Sequence, residues 1–424
     1  MTSANSLYSP PIDGSGLAVV VVGGNRHSVE TNQTPGIMVR ELARRSPVLH
    51  LLSEAHGSVL RRLQGRARHL GARDVARTVL DSTHPRRVDE RLWIAPVRGL
   101  SAIGPLWAPE AMRRRNVRRF AAVIRAWLND IGARECVLVI YWWALPELVE
   151  LVPNVASVYD CIDDHAALPQ GLVPPATVAR LENQMLDAVD QTFVVSPHLL
   201  DGREGLGRNI AVLPTAIDLR LFKRLERDGF STPEQLRSIP HPIVGYAGGL
   251  GPRIDWELLL EVSDCRPDWS FVFLGGDAVG APEALRGRSN VFFLKSMPYT
   301  EALGALASFD VATLPMCANP FSLGNSFLKL RDYLAHGMPV VATPLPDPVA
   351  VAETAPGLVT LAEGPDAWIS AVSAGLNEPR SSPRGAARRR YAAEQSAERR
   401  ATRIVSEALE AARTSVRAAE RSRP

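Results

Sequence analysis

The segment Asn325-Ser326-Phe327-Leu328-Lys329-Leu330-Arg331-Asp332-Tyr333-Leu334-Ala335-His336-Gly337-Met338-Pro339 holds the densest set of residues that could do chemistry. Ser326 is a natural cap for a helix, whose free N–H groups and dipole attract an anion. Lys329 would lie in the first turn, where a cation opposes the dipole. A lysine there is easier to understand if it meets a phosphate. Asp332 comes one turn later on roughly the same face, where a carboxylate can accept both hydroxyls of a ribose. Gly337-Met338-Pro339 ends the helix and leads into an apolar strand. The same pattern also suits an ordinary capped helix with solvated charges. A second cluster, Tyr159-Asp160-Cys161-Ile162-Asp163-Asp164-His165, follows an apolar run. Three carboxylates and a histidine in six residues can exchange protons with a reacting group. N-capping and local hydrogen bonds are the competing use.

These residues need a frame. Residues 17–22, Leu-Ala-Val-Val-Val-Val, read as a strand buried on both faces, and Gly23-Gly24 as its turn. Thr34-Pro35 reads as an N-cap followed by proline at N1. Further strands are expected at 48–52, 92–95, 137–141, 155–159 and 192–195, with an amphipathic helix over 116–131. The rhythm restarts at 243–247 with Gly248-Gly249-Leu250-Gly251. Strands then follow at 271–274, 291–294, 311–314 and 340–343, with helices from 255, over 300–308 and over 326–336. Alternating strands and helices give an α/β fold with parallel sheets and helices on both faces. Two such runs indicate two Rossmann-like, doubly wound domains facing a cleft: residues 1–215 and 216–382. Residues 383–424 are expected to form a long Ala/Arg/Glu-rich helix. Residues 55–90 are Arg-rich and lack a clear period. In such sheets ligands bind beyond the carboxyl ends of the strands.

Residues 325–343 resemble the donor-site helix of GT-B glycosyltransferases, in particular members similar to capsule and teichuronic acid transferases. Many of these read S-N-P-L-K-L-x-E-Y-L-A-x-G-K-P-V-V-A-T. Tyr333, Leu334, Ala335, Gly337 and residues 339–343 match directly. The resemblance implies that Lys329 contacts the donor diphosphate and that Asp332, a shortened glutamate, holds the ribose. Phe327 replaces a usual proline, and Gly324 stands where paired-glutamate members carry another acid. Asn325 and Ser326 open the same motif. The backbone beside Ser296 and Met297 would read the nucleobase. Gly248 and Gly249 would admit phosphate, with Arg253 in reach of it or on the rim. Leu213–Asp218 with Phe222 resembles the interdomain link, and the last helix resembles one that crosses back to the first domain, with Ser396 where tryptophan is common. The resemblance is specific over about residues 190–400. In the first domain it implies an acceptor site and, in inverting members, a catalytic aspartate. Asp163 is the leading candidate for base or acceptor orienter, followed by Asp160 and His165. Gly24, Asn25, His27 and Asn32 are candidates for the acceptor side, or for a plain loop and helix start. The activity implied is transfer of a sugar from a nucleoside diphosphate sugar to an acceptor, a lipid-linked polysaccharide precursor or a secondary metabolite. A helix dipole and cations can stabilise the leaving diphosphate, so neither a metal nor a cofactor is expected.

Composition is that of a globular chain: 424 residues, 46% hydrophobic and 22% charged. Its formal net charge is +3, and 45 of its 48 basic residues are arginine. Lysine occurs only at 223, 295 and 329. The four cysteines form no CxxC pair, which argues against a zinc site or disulfide framework. No apolar run approaches a membrane span and the N-terminus lacks a signal-peptide core, so a cytoplasmic protein is expected, with at most peripheral contact at the inner membrane face. Basic clusters at 61–68, 113–119 and beyond 384 suit solvated helix faces or anionic lipid. Nucleic acid is not expected, because no reader motif accompanies the charge. Two rival readings are an epimerase-like enzyme of the same fold and a non-catalytic subunit that binds membranes peripherally.

Overall fold

The computed structural model describes residues 17–24, 33–53, 84–97, 110–167, 174–203, 205–276 and 278–421. The chain divides into two compact units. One comprises residues 1–195, 199–213 and 400–424, the other residues 196–198 and 214–399.

The first unit is built on an eight-stranded sheet. Its strands are β1 (Ala18–Val22), β2 (Val48–Ser53), β3 (Arg86–Asp89), β4 (Leu92–Val97), β5 (Cys136–Ile140), β6 (Asn154–Cys161), β7 (Gln191–Val194) and β8 (Ile210–Val212). Their order is β3-β4-β2-β1-β5-β6-β7-β8. All neighbours are parallel except β3, which runs antiparallel to β4. Both faces of β1 are buried, which is why its sequence is a run and not an alternation. Val20 and Val22 join one core while Val19 and Val21 join another. The polar edge strand β3 lies in the segment that lacked a period. All four of its residues are exposed, so nothing in its hydropathy marked it.

The second unit carries six parallel strands: β9 (Ile243–Ala247), β10 (Ser270–Leu274), β11 (Val291–Leu294), β12 (Val311–Leu314), β13 (Val340–Ala342) and β14 (Thr360–Leu361). Their order is β11-β10-β9-β12-β13-β14. The winding reverses between β9 and β12, the place where doubly wound sheets open a crevice. Helix α1 (Tyr299–Leu306) follows β11 and helix α2 (Leu328–Ala335) leads to β13.

Helix boundaries differ from the sequence expectation at three places. The helix Thr34–Ala43 includes Thr34, and its cap is Gln33 with no side-chain bond. Ser326 lies outside α2, whose N-cap is Phe327. The single helix expected from 383 is two helices, α3 (Pro383–Glu394) and α4 (Ala397–Arg421). The first belongs to the second unit. Arg389 on α3 donates to the His336 carbonyl just past α2, and a Cβ on Gly337 would overlap the Arg389 guanidinium. From Arg400 onward α4 belongs to the first unit, where Ala401, Ile404, Val405 and Ala408 enter a buried core with β1 and β5 residues. Among the described residues no helix is long and apolar enough to cross a membrane.

One ion pair anchors α4. Arg400 donates to both carboxylate oxygens of Asp160, each at 2.7 Å, and both side chains are buried. Removing one partner would leave a buried charge uncompensated, at a cost of about 3–5 kcal/mol. Arg400→Ala should therefore lower the urea midpoint of the first unit markedly. The double variant Asp160→Leu/Arg400→Met should recover much of the loss.

Candidate functional site

The second unit assembles its site at the carboxyl ends of its strands. The turn after β9 comes first. Gly248 has φ +149°, and a Cβ there would lie 2.5 Å from the Lys329 Cε and 2.9 Å from its Nζ. The end of the lysine therefore lies against the glycine α-carbon, at a backbone conformation that side chains rarely adopt. A Cβ on Gly275, after β10, would overlap the Gly248 carbonyl oxygen, so two strand ends meet without side chains between them. Two tyrosines hold this turn. The Tyr333 hydroxyl accepts from the Ala247 N–H at 2.8 Å. The Tyr246 hydroxyl donates to the Gly249 carbonyl at 3.3 Å.

Lys329 sits in the first turn of α2, as its sequence position required. Its Nζ is 5.0 Å from the Tyr246 ring centroid and 5.5 Å from that of Phe327. The aromatic faces give the ammonium partial compensation. Arg253 flanks the glycine turn, its Nη2 3.9 Å from the position of a Cβ on Gly249. Its guanidinium stacks 4.4 Å over Phe321. Asn325 is half-buried ahead of the helix and Met297 is half-buried after β11.

Ser326 has a different task from capping. It is buried, and its hydroxyl meets the Thr215 hydroxyl at 3.0 Å and the Asp347 carboxylate at 3.3 Å. Asp347 also accepts the Phe327 N–H at 2.8 Å and pairs with buried Arg331. Phenylalanine in place of proline now has a physical reason, because proline would have no N–H for Asp347. The expected N-cap is corrected accordingly: Ser326 fixes the approach to α2, and the helix start carries no side-chain cap bond.

Asp332 is 5% exposed. Burial raises its carboxyl from 3.8 to about 7, while the Tyr299 hydroxyl and the Lys329 charge pull the other way. Tyr299, at the start of α1, donates to Asp332 Oδ1 at 2.6 Å. Nothing local in the sequence marks Tyr299, because its partner lies 33 positions on.

In the first unit the titratable cluster divides. Asp160 is taken by Arg400, so its nomination as a base is corrected: a buried bidentate carboxylate serves structure. Asp164 accepts from the Ala166 and Ala167 N–H groups, each at 3.2 Å, as a turn cap. Asp163 is half-buried, and its carbonyl accepts from the Cys161 thiol at 3.4 Å. His165 is half-buried with its ring 6.4 Å from that of Trp143. Desolvation lowers its pKa, which disfavours the imidazolium form. Beneath the loop lies a network absent from the sequence reading. Tyr159 donates to Glu182 at 2.7 Å and Arg203 donates to its other oxygen at 2.8 Å. Gly24, two residues after β1, has a left-handed conformation, φ +75°. The preceding Gly23 carbonyl accepts from buried His50, whose pKa desolvation lowers to about 4. Asn25, His27 and Asn32 lie outside the described residues.

Residues 241–378 match the family model described as Glycosyl transferases group 1. Over this segment the chain is similar to the group 1 glycosyl transferases. The segment contains the glycine turn, Arg253, Tyr299, Lys329 and Asp332. A stretch of 108 residues is 32% identical to "Putative teichuronic acid biosynthesis glycosyltransferase TuaH" of Bacillus subtilis (strain 168). That match covers 24% of this chain and 27% of the relative. The fold extends the likeness to the whole chain. A sucrose-phosphate synthase from Thermosynechococcus elongatus superimposes with a TM-score of 0.55 at 15% identity, over 96% of this chain and 98% of that one. The trehalose-6-phosphate protein of E. coli bound with UDP-2-fluoro glucose gives 0.61 at 9%, over 92% and 98%. An α,α-trehalose-phosphate synthase from Burkholderia xenovorans gives 0.59 at 11%, over 93% and 100%. At these identities the likeness is one of architecture, and that architecture is GT-B.

The Asp332 environment sets a pH dependence. A carboxyl raised by burial binds its proton more tightly folded than unfolded. Its contribution is full below the unfolded value of 3.8 and is lost as pH rises through about 7. Asp332→Asn should remove that loss. Its melting temperature relative to the parent should climb between about pH 4 and about pH 8, with urea midpoints showing the same trend.

Proposed function

We propose that the chain is a glycosyltransferase that moves a sugar from a nucleoside diphosphate sugar to an acceptor bound by the first unit. The observation that carries this is the Lys329 ammonium lying on Gly248 at the reversal of the second sheet, inside the group 1 domain. As the glycosidic bond to the donor breaks, negative charge grows on the departing diphosphate. Lys329, the start of α2 and Arg253 are positive groups already in place to receive it, so little reorganisation is needed in the transition state. A lysine suits a crowded diphosphate, since its compact charge demands no planar fork. The nucleobase would rest on the backbone at Ser296 and Met297.

The attacking hydroxyl of the acceptor loses its proton. Asp163 is our candidate base, with His165 two positions on as the second candidate. Asp160 is removed from that role by Arg400. The acceptor would be a polysaccharide precursor or small metabolite reached from the cytoplasmic side, the first unit's glycine turn at Gly24 serving it.

Calorimetry with a panel of nucleoside diphosphates tests the donor site. Lys329→Ala should weaken the best binder more than about tenfold, the worth of one charge-assisted hydrogen bond, while the melting temperature holds. Unchanged affinity would sink the assignment. Asp163→Asn should bind the same diphosphate as the parent yet lose at least about 100-fold in transfer rate. Full turnover in that variant would move the base elsewhere.

A further inference from the structure

At the far end of α2 from Lys329 lies a cavity of about 230 Å³ that the donor-site reading does not use. It opens within the second unit, between Ala335 at the end of α2, the helix Leu219–Asp228 and α3. Ala335 lies six positions beyond Lys329, about 9 Å along a helix axis. The floor is apolar: Leu219, Phe222, Ala335 and Ala393. It is also fixed, because the buried Phe222 ring packs 5.3 Å from that of Phe230 and 4.8 Å from that of His336. The two alanines leave open a space that larger side chains would close. The rim carries three cations, Lys223, Arg389 and Arg390, against the single carboxylate of Glu226. Half-buried Arg389 gives its two η nitrogens to the His336 and Arg380 carbonyls, so its charge has no carboxylate partner. Lys223, Arg390 and Glu226 are exposed and make no hydrogen bond or ion pair among the described residues.

We propose that this cavity binds a small amphipathic anion, a short alkyl chain with a phosphate or carboxylate head. Size decides the body. An apolar cavity of about 150 Å³ holds a benzene ring, whereas pockets for larger ligands run to ~300–1,000 Å³. A short chain fits and a sugar nucleotide does not. A bare sugar would leave its hydroxyls without partners on an apolar floor, which is costly. Charge decides the head. Three cations without a neutralising partner repel one another, and an anion between them relieves that repulsion and gains charge-assisted hydrogen bonds. Lys223, one of only three lysines in the chain, then has a use.

Calorimetry on the full chain tests this with octyl phosphate kept below micelle formation, beside octanol and inorganic phosphate. Octyl phosphate should bind once per chain, at least about tenfold more tightly than either half-molecule, because each lacks the head or the burial. Ala393→Phe should fill the cavity and weaken octyl phosphate more than about tenfold. If its melting temperature shows a lost fold, Ala393→Leu takes its place with the same expectation. Lys223→Gln, on an exposed side chain with no partner to lose, should weaken octyl phosphate by about threefold and leave octanol unchanged. Lys329→Ala should keep the parental affinity. The proposal is overturned if octyl phosphate does not bind, if the filled variant binds it like the parent, or if octanol binds equally well. Binding lost in Lys329→Ala but kept in the filled variant would place the amphiphile at the donor site and overturn it too. So would binding to phosphatidylglycerol vesicles without binding of soluble octyl phosphate, since the head would then belong to a lipid surface.

Discussion

The second unit's site depends on one steric condition: Gly248 holds a backbone conformation that side chains rarely adopt, φ +149°, with the end of the Lys329 side chain lying against it. The lysine side chain lies where a Cβ would be, and the neighbouring strand end at Gly275 closes on the Gly248 carbonyl. Tyr246 and Tyr333 hold this turn through the Gly249 carbonyl and the Ala247 peptide. Each tyrosine is nearly or fully buried, so the turn is set by the core beneath it. Backbone precision at this glycine turn thus comes from packing. The positive charge is laid over it by α2.

The same economy recurs with buried charges. Arg331 pairs with Asp347, Arg203 with Glu182 and Arg400 with Asp160. Each joins elements distant in sequence, and each holds a segment that carries a candidate group. Asp347 receives the Phe327 N–H at the entrance of α2. Glu182 receives Tyr159 and the Cys161 thiol under the 161–165 loop. Arg400 takes the carboxylate of Asp160. Such pairs add little net stability beside well-packed apolar groups, but they are costly to break singly, which favours one arrangement over its neighbours.

Much of the fold was legible because parallel strands buried on both faces leave continuous apolar runs. The runs at 17–22, 243–247 and 311–314 needed no partner to be recognised. Polar or very short edge strands, β3 and β14, carry no such trace. The helix start near 326 was misplaced by two residues because serine before an apolar stretch has two uses. It can cap, or it can bond sideways. Only the positions of Thr215 and Asp347 decide which.

By itself the sequence determined the two doubly wound units, the glycine turns after their first strands, and a lysine in the first turn of a helix at a strand end. These are local facts: periodicity, backbone freedom and the direction of a dipole are properties of neighbouring residues. Tertiary structure alone decided which titratable groups are taken up in buried pairs. Asp160 and Arg400 are 240 positions apart, and in a chain with 45 arginines no spacing singled out that one. Tyr299 and Asp332 were two unrelated residues until α1 and α2 brought them within 2.6 Å. The physical reason is that a hydrogen bond is chosen by distance in space. Three carboxylates close together in sequence proved to have three different surroundings: an arginine pair at Asp160, a turn at Asp164 and a half-buried loop position at Asp163.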